Sequence, residues 1–403
     1  MARNISKALC IAFGITIAAH PAAGQRTEHQ PERPELPAGS DRNDPWSYYR
    51  LAQSQLRDDP EKAANAFYWA ARLNPTWAEP FYGRRVALLL RDPRRLSRYM
   101  RGDKGVIRSR ETQAIDSLYL QALTLNPFLG PQLDHMILDA LINQVSTDYA
   151  NRSGASPNEI AYEMRRFLSE GPPEWRALTA YREGRYEDAL SLYAKAISQS
   201  HDKAPIMAER GRLFYQIGQH DSALVELTRA IQEMRKEDKN DLVFFYQSKA
   251  LMEERIGLIH RAKGDRNAAR EAFGRALEED LSYYPAHVQL AYLGLDGGDT
   301  SAVSNEMDLA VQIKPDDPGI RFAYGYALGS LNRLKEAEPQ LRKAIELDPD
   351  FAAPHFVLAD VLQATGRRAD AIKEFQAFLT LAATNDPRRE EASQMVGVLE
   401  GAK

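Results

Sequence analysis

The sequence predicts an all-α protein, a solenoid of stacked helix hairpins, and three observations carry that prediction. The first is a 34-residue period over residues 170–385, in six units that begin at Glu170, Ala204, Ala250, Tyr284, Pro318 and Ala352. The second is the size pattern inside each unit. Small residues hold the eighth place (Ala177, Gly211, Gly257, Ala291, Gly325, Ala359), and Ala189, Ala223, Ala269, Val303, Ala337 and Ala371 hold the twentieth. The twenty-seventh is Ala196, Ala230, Ala276, Ala310 and Ala344 before Phe378, while the twenty-fourth is large: Tyr193, Leu227, Phe273, Met307, Leu341, Phe375. The third is the fifteenth place, Gly184, Gly218, Gly264, Gly298, Asn332 and Gly366, residue types that tolerate the left-handed turn after a helix end. Each unit therefore reads as helix, tight turn, helix.

With Pro315 and Pro349 at the thirty-second place, this spacing resembles the tetratricopeptide repeat. The resemblance is clear over residues 170–385 and weaker over 44–169. It implies a right-handed superhelix whose concave groove is lined by the first helix of each unit, and an interaction protein without a cofactor. No ligand is named by it.

Length alone would suggest two or three domains, but an array grows by nearest-neighbour stacking, so one continuous array can use most of 403 residues. Arg3 and Lys7, an apolar run from Ala8 to Ala19, and Ala22-Ala23-Gly24 read as a signal peptide over residues 1–24. The run falls short of the about 20 apolar residues of a membrane span, although an uncleaved anchor is the rival reading. Cleavage would remove Cys10, the only cysteine, and take the formal charge from −4 to −6 by removing two cations and no acid. A disulfide framework and a thiol nucleophile are then excluded. The expected location is periplasmic or extracellular.

Residues 25–43 are charged and punctuated by Pro31, Pro34 and Pro37, which predicts a disordered linker. Asp44-Pro45 opens a helix. The unit from Asp44 to Trp77 keeps the family's pattern at Ala63, Phe67, Ala70 and Pro75; the next, from Ala78, degenerates, with Arg85 at its small-residue place. Between Arg84 and Arg110 stand Arg84, Arg85, Arg91, Arg94, Arg95, Arg98, Arg101, Lys104, Arg108 and Arg110 against Asp92 and Asp103. This basic segment either binds an anionic envelope polymer, lipid headgroups or an acidic partner, or pairs with acidic helices nearby. Nucleic acid is not expected of an exported chain without a recognition motif.

Ala114, Ile115, Leu118, Tyr119, Ala122, Leu123 and Leu125 keep helical period into Asn126-Pro127, and Leu133, Ile137, Leu141 and Val145 form another stripe. Ser156-Pro157-Asn158-Glu159 reads as a capping box. The second and third repeats are separated by 12 extra residues, an extended hairpin near 231–250 in which both helices are expected to run on and expose Val243, Phe244 and Tyr246. Residues 386–403 are expected to form a capping helix, and Phe378 implies a last junction built differently.

Motif search excludes the common chemistries. No two-histidine helical metal motif, Walker A loop, Gly-x-Ser-x-Gly elbow or dinucleotide fingerprint occurs, so neither a catalytic nor a metal site is assigned. His287 and His355, both at the fourth place, read as packing residues. In the geometry that the resemblance implies, the second, fifth, ninth and twelfth places of the first helix face the groove. They supply Tyr181, Arg212, Tyr215, Arg261, Tyr292, Phe322, Tyr326, Phe356 and Asp360. Aromatic faces with arginines suit an extended peptide. Sugar stacking is the alternative, and simple packing between units a third reading. The Lys and Asn clamp of chaperone-tail-binding members is absent: its places hold Glu174 and Leu178, Ala208 and Arg212, Glu254 and Leu258. The sequence leaves the partner and the oligomeric state open.

Overall fold

The computed structural model describes residues 30–100, 103–130, 134–237, 241–242 and 247–401. The expected signal segment, residues 1–24, lies outside them. Among the described residues are twenty-one helices and one two-stranded ladder, an all-α fold of repeated helix hairpins. No helix among them is long and apolar enough to cross a membrane.

The described residues divide into two compact units, one of Leu56–Ala64 and Tyr82–Glu279, the other of Pro31–Gln55, Asn65–Phe81 and residues 280–401. Length alone suggested two or three domains, and the repetition one continuous array. Three repeats fall in each unit, and each set gathers helices from the N-terminal part of the chain. Those helices are α1 Pro45–Gln55, α2 Pro60–Leu73 and α3 Ala78–Arg91.

In the first unit the repeats are α9 Pro173–Arg182 with α10 Tyr186–Gln199, α11 Ala204–Gln216 with α12 His220–Lys236, and α13 Lys249–Ala262 with α14 Arg266–Glu279. The eighth and twenty-fourth places meet inside each hairpin. A Cβ on Gly211 would stand 2.9 Å from Leu227 Cγ, and one on Gly257 2.4 Å from the Phe273 ring. Leaving those positions bare lets the two helices close on a fully buried Leu227 and Phe273. Burying such a side chain contributes about 1.5–3 kcal/mol. Gly184, Gly218 and Gly264 make the turns with φ of 76°, 77° and 81°.

Ahead of these repeats come α4 Pro93–Met100, α5 Lys104–Ile107, α6 Arg110–Leu125, α7 Asp134–Ser153 and α8 Pro157–Glu170. Arg85, on α3 at a place the pattern keeps small, is buried by a polar knot rather than by close helix contact. Its Nε lies 3.3 Å from Asp116 Oδ1, its guanidinium stacks 5.0 Å from the Tyr119 centroid, and Tyr99 donates its hydroxyl to Asp116 at 2.8 Å. α8 begins at Pro157 as predicted, but the Ser156 side chain makes no capping bond, so the capping box is not formed.

The insertion differs from the expectation. α12 is lengthened, to 17 residues, whereas α13 starts at Lys249, where Ser248 Oγ accepts from Leu251 N at 3.1 Å. Between them β1 Asp241–Leu242 pairs antiparallel with β2 Gln247–Ser248. The β-branched and aromatic composition of this stretch favours extended backbone over a second long helix. Val243, Phe244 and Tyr246 lie outside the described residues.

The second unit repeats the design in α15 Tyr284–Gly297 with α16 Thr300–Ile313, α17 Pro318–Ser330 with α18 Leu334–Leu347, and α19 Ala352–Ala364 with α20 Arg368–Leu381. A Cβ on Gly325 would lie 2.6 Å from Leu341 Cγ, and Asn332 takes the left-handed turn with φ 59°. His287 and His355 are buried packing residues whose Nδ1 atoms lie 2.7 Å from Glu306 and Glu374 on the following helix. α21 Arg388–Gly401 caps the array. There the size pattern is exchanged: Phe378 is fully buried among Phe356, Phe375 and Ala392, the small residue now standing on the cap.

Residues 31–43 are not a loose linker, as their composition had implied. The Arg33 guanidinium sits 4.8 Å from the Trp69 ring and 5.4 Å from that of Tyr48, Trp69 Nε1 donates to Pro31 O at 3.1 Å, and Asn43 Nδ2 donates to Thr380 O at 2.7 Å. Asp44 caps α1, accepting from Trp46 N at 3.0 Å.

Candidate polypeptide-binding groove

In the first unit, the first helices of successive repeats bring Arg212 against Tyr181, and one turn of chain touches both of them and Tyr215. Arg212 Nη1 donates to Tyr181 OH at 2.9 Å, and the guanidinium lies 5.1 Å from the Tyr181 ring centroid. This surface is already filled. The turn that follows α6, Asn126-Pro127-Phe128-Leu129-Gly130, lies against it. Phe128 stacks on Tyr215 with centroids 3.5 Å apart and planes at 14°. Arg255 Nε donates to Pro127 O at 2.7 Å, and Arg212 Nη1 donates to Leu129 O at 3.4 Å. Gly130 approaches so closely that a Cβ would stand 2.9 Å from Tyr181 Oη. The turn shapes itself: Leu129 N donates to Asn126 O at 3.0 Å, and Phe128 N to Asn126 Oδ1 at 3.1 Å.

Electrostatics hold the arginines in place. Arg212 is 3% exposed and paired with Glu209, itself 3% exposed, one helical turn back. Burial alone would weaken its hold on the proton, but the Glu209 charge and hydrogen bond outweigh this and raise its pKa further. Burial likewise raises the Tyr181 phenol above its ordinary value. Arg212 is thus a braced donor beneath the groove. It is not the free surface cation that its sequence position implied.

In the second unit Tyr326 is 50% exposed, with Phe322 half-buried beside it at 6.3 Å and edge-on to Phe351 at 5.2 Å. Tyr292 and, in the first unit, Arg261 are half-buried. Phe356 is a core residue, packed on Phe375 and Phe378, and leaves the set of groove candidates; Tyr181 is equally buried, its ring in the first-unit core, and meets the turn through its hydroxyl. Asp360 is exposed as a residue; burial of its carboxyl and, second, the Glu391 charge push its pKa up to about 6.

Profiles described as the tetratricopeptide repeat match residues 180–239, 254–283 and 330–390. These stretches are tetratricopeptide repeats. The chain is 21% identical to the Caenorhabditis elegans BBSome complex member bbs-4 over 235 residues, 58% of this chain and 46% of that one, so it spans about half that relative's length. Among solved structures it is similar to YrrB, described as a tetratricopeptide-repeat protein with an unusual peptide-binding site (17% identity, 50% of this chain and 96% of that one, TM-score 0.39). A tetratricopeptide repeat protein from Parabacteroides merdae is also similar (14%, 67% and 94%, TM-score 0.38).

Several cations of the basic segment are spent inside the chain itself. Arg85 is in the knot with Asp116; Arg91 bridges Glu61 at 3.2 Å and Glu111 at 3.1 Å, Arg95 pairs with Glu111, and Arg98 reaches Asp103 at 2.9 Å. Arg94, Lys104, Arg108 and Arg110 are exposed, Arg84 is half-buried, and Arg101 lies outside the described residues. No group of three or more His, Cys, Asp or Glu able to hold a metal ion occurs among the described residues.

Sequence reasoning missed Arg255, Glu209 and the 126–130 turn. Arg255 and Glu209 stand at the sixth place of their units among other charged residues, so nothing in the local sequence marks them as buried. The turn carries an aromatic residue between Pro127 and Gly130, an unusual place for a large apolar side chain unless another surface covers it.

Proposed function

We propose that this protein is an exported, non-catalytic scaffold that holds partner polypeptides along the first-helix faces of its repeats. One observation carries the reading: a polypeptide turn, Pro127–Gly130, is gripped on this face by ring stacking and by arginine donors aimed at backbone carbonyls. Stacking area and donors to main-chain oxygen are what an extended peptide offers to meet. A sugar ring would stack on the same aromatic faces and accept from the same arginines; the occupant found on this face is polypeptide. The internal pairing of Arg85, Arg91, Arg95 and Arg98 weakens the case for an anionic envelope polymer or lipid headgroups at the basic segment.

The test is photo-cross-linking in intact cells with a reactive residue placed at Gln216 or Tyr326, both exposed on first helices, and at Leu309, exposed on a second helix. Polypeptide adducts are expected from the first two and not from the third. Polysaccharide adducts, or the same adducts from all three, would overturn the reading. Export is part of the proposal and is decided separately: N-terminal sequencing of the native protein should start near Gln25, and a product retaining Lys7 and Cys10 would defeat cleavage.

A further inference from the structure

The turn in the first-unit groove is anchored by a buried Pro127 and Leu129, and between them it lays a half-buried Phe128 on the repeat surface as a bound ligand would. Core aromatics of this unit, Phe273, Tyr193 and Phe214 among them, are buried, whereas Phe128 and Tyr215 are both only half-buried although their rings are in full contact. The stack is therefore open to solvent along one edge. The hydrogen bonds from Arg255 and Arg212 go to main-chain carbonyls of Pro127 and Leu129, groups that any peptide presents. Three features of the turn are particular to it: the Asn126 side chain that closes it, the Phe128 ring, and the bare Cα at position 130, which a Cβ would press to 2.9 Å from Tyr181 Oη and 3.3 Å from Arg212 Nη1.

Building on the scaffold reading, we propose that the Tyr181–Arg212–Tyr215–Arg255 surface recognises a partner turn of Asn-Pro-aromatic-aliphatic-Gly type. The chain's own Asn126–Gly130 is the internal competitor that such a partner displaces. A tethered occupant acts at an effective concentration in the millimolar range, so an external peptide of equal intrinsic affinity binds the intact chain far more weakly than a chain whose own turn has been disabled. The groove is thereby closed to weak or non-matching segments. It opens to partners that present the same turn with added contacts.

The probe is a fluorescein-labelled peptide of the chain's own residues 125–130, Leu-Asn-Pro-Phe-Leu-Gly, read by fluorescence anisotropy against the full chain. Phe128→Ala should bind it about tenfold or more tightly than wild type. Adding Tyr215→Ala to that variant should abolish the gain, and a peptide with Ala in place of its Phe should not bind. A second measurement needs no variant. Amide hydrogen exchange of the wild-type chain should show the 126–130 segment losing protection in excess peptide while α11 and α13 keep theirs. Equal binding to wild type and Phe128→Ala, no binding to either, or unchanged exchange of 126–130 would overturn the internal-competitor proposal. Those outcomes leave the cross-linking result at Gln216 and Tyr326 untouched, so the two readings fail separately.

Discussion

At Asp348, burial and a neighbouring cation pull one carboxyl in opposite directions. Arg72 lies 3.4 Å away and Asp350 N donates to it at 3.2 Å, yet the residue is 5% exposed, and burial wins, pushing its pKa up to about 6. The folded state therefore binds the proton more tightly than the unfolded chain. The stability this contributes is fully present below the ordinary value of 3.8 and is lost as pH rises through about 6. Asp348→Asn removes the titration. Its stability relative to wild type should rise between pH 4 and 7 by on the order of 1–3 kcal/mol in denaturant melts at each pH; a flat difference would show that Arg72 compensates fully for burial. This balance could not be read from the sequence, because Arg72 is far from Asp348 in the chain and only the fold joins them. The same holds at Arg85, whose sequence place signalled a misfit and whose partner Asp116 did not.

At the scale of the helix hairpin, the register was legible because it repeats: Gly211, Gly257 and Gly325 each stand where a Cβ would meet the large residue sixteen positions on. Two substitutions separate packing from helix propensity. Ala276 is fully buried, so Ala276→Phe should cost about 1–3 kcal/mol and lower the melting midpoint. Gly274 lies in the same helix with nothing within 4 Å of its missing Cβ, so Gly274→Ala should stabilise by about 0.4–1 kcal/mol. Thermal melts followed by circular dichroism check both; shifts of the same sign would mean the register is misassigned. Elements held by other means were not legible. Residues 31–43 lack the apolar residues of a core, and what fixes them is Arg33 against Trp69 and single bonds to backbone oxygens. The 231–250 stretch has helical spacing at Leu242 and Lys249, but its residues between carry extended preferences, and the ladder of Asp241–Leu242 with Gln247–Ser248 follows them.

For the whole molecule, periodicity assigned Tyr181, Arg212 and Tyr215 to one surface; in the structure Arg212 meets Tyr181, and Tyr215 joins them through the turn that Phe128 carries. What periodicity does not encode is occupancy. The turn at 126–130 belongs to the degenerate N-terminal part, more than fifty residues before Tyr181; the aromatic between Pro127 and Gly130 hints that a surface covers it, but no local pattern says that this surface is α11 and α13. Nor does it distinguish a groove residue from a core one at the end of the array, where Phe356 turns inward because Phe378 and the cap replace the next repeat. The central claim is that first-helix faces hold a partner polypeptide. Its most direct test is calorimetric titration of the polypeptide captured by cross-linking against wild type, Tyr215→Ala, Tyr326→Ala and, as an outside control, Leu309→Ala, each first shown folded by circular dichroism. The account predicts about tenfold weaker binding for one or both tyrosine variants and none for the control; affinities equal across all four folded proteins would contradict it.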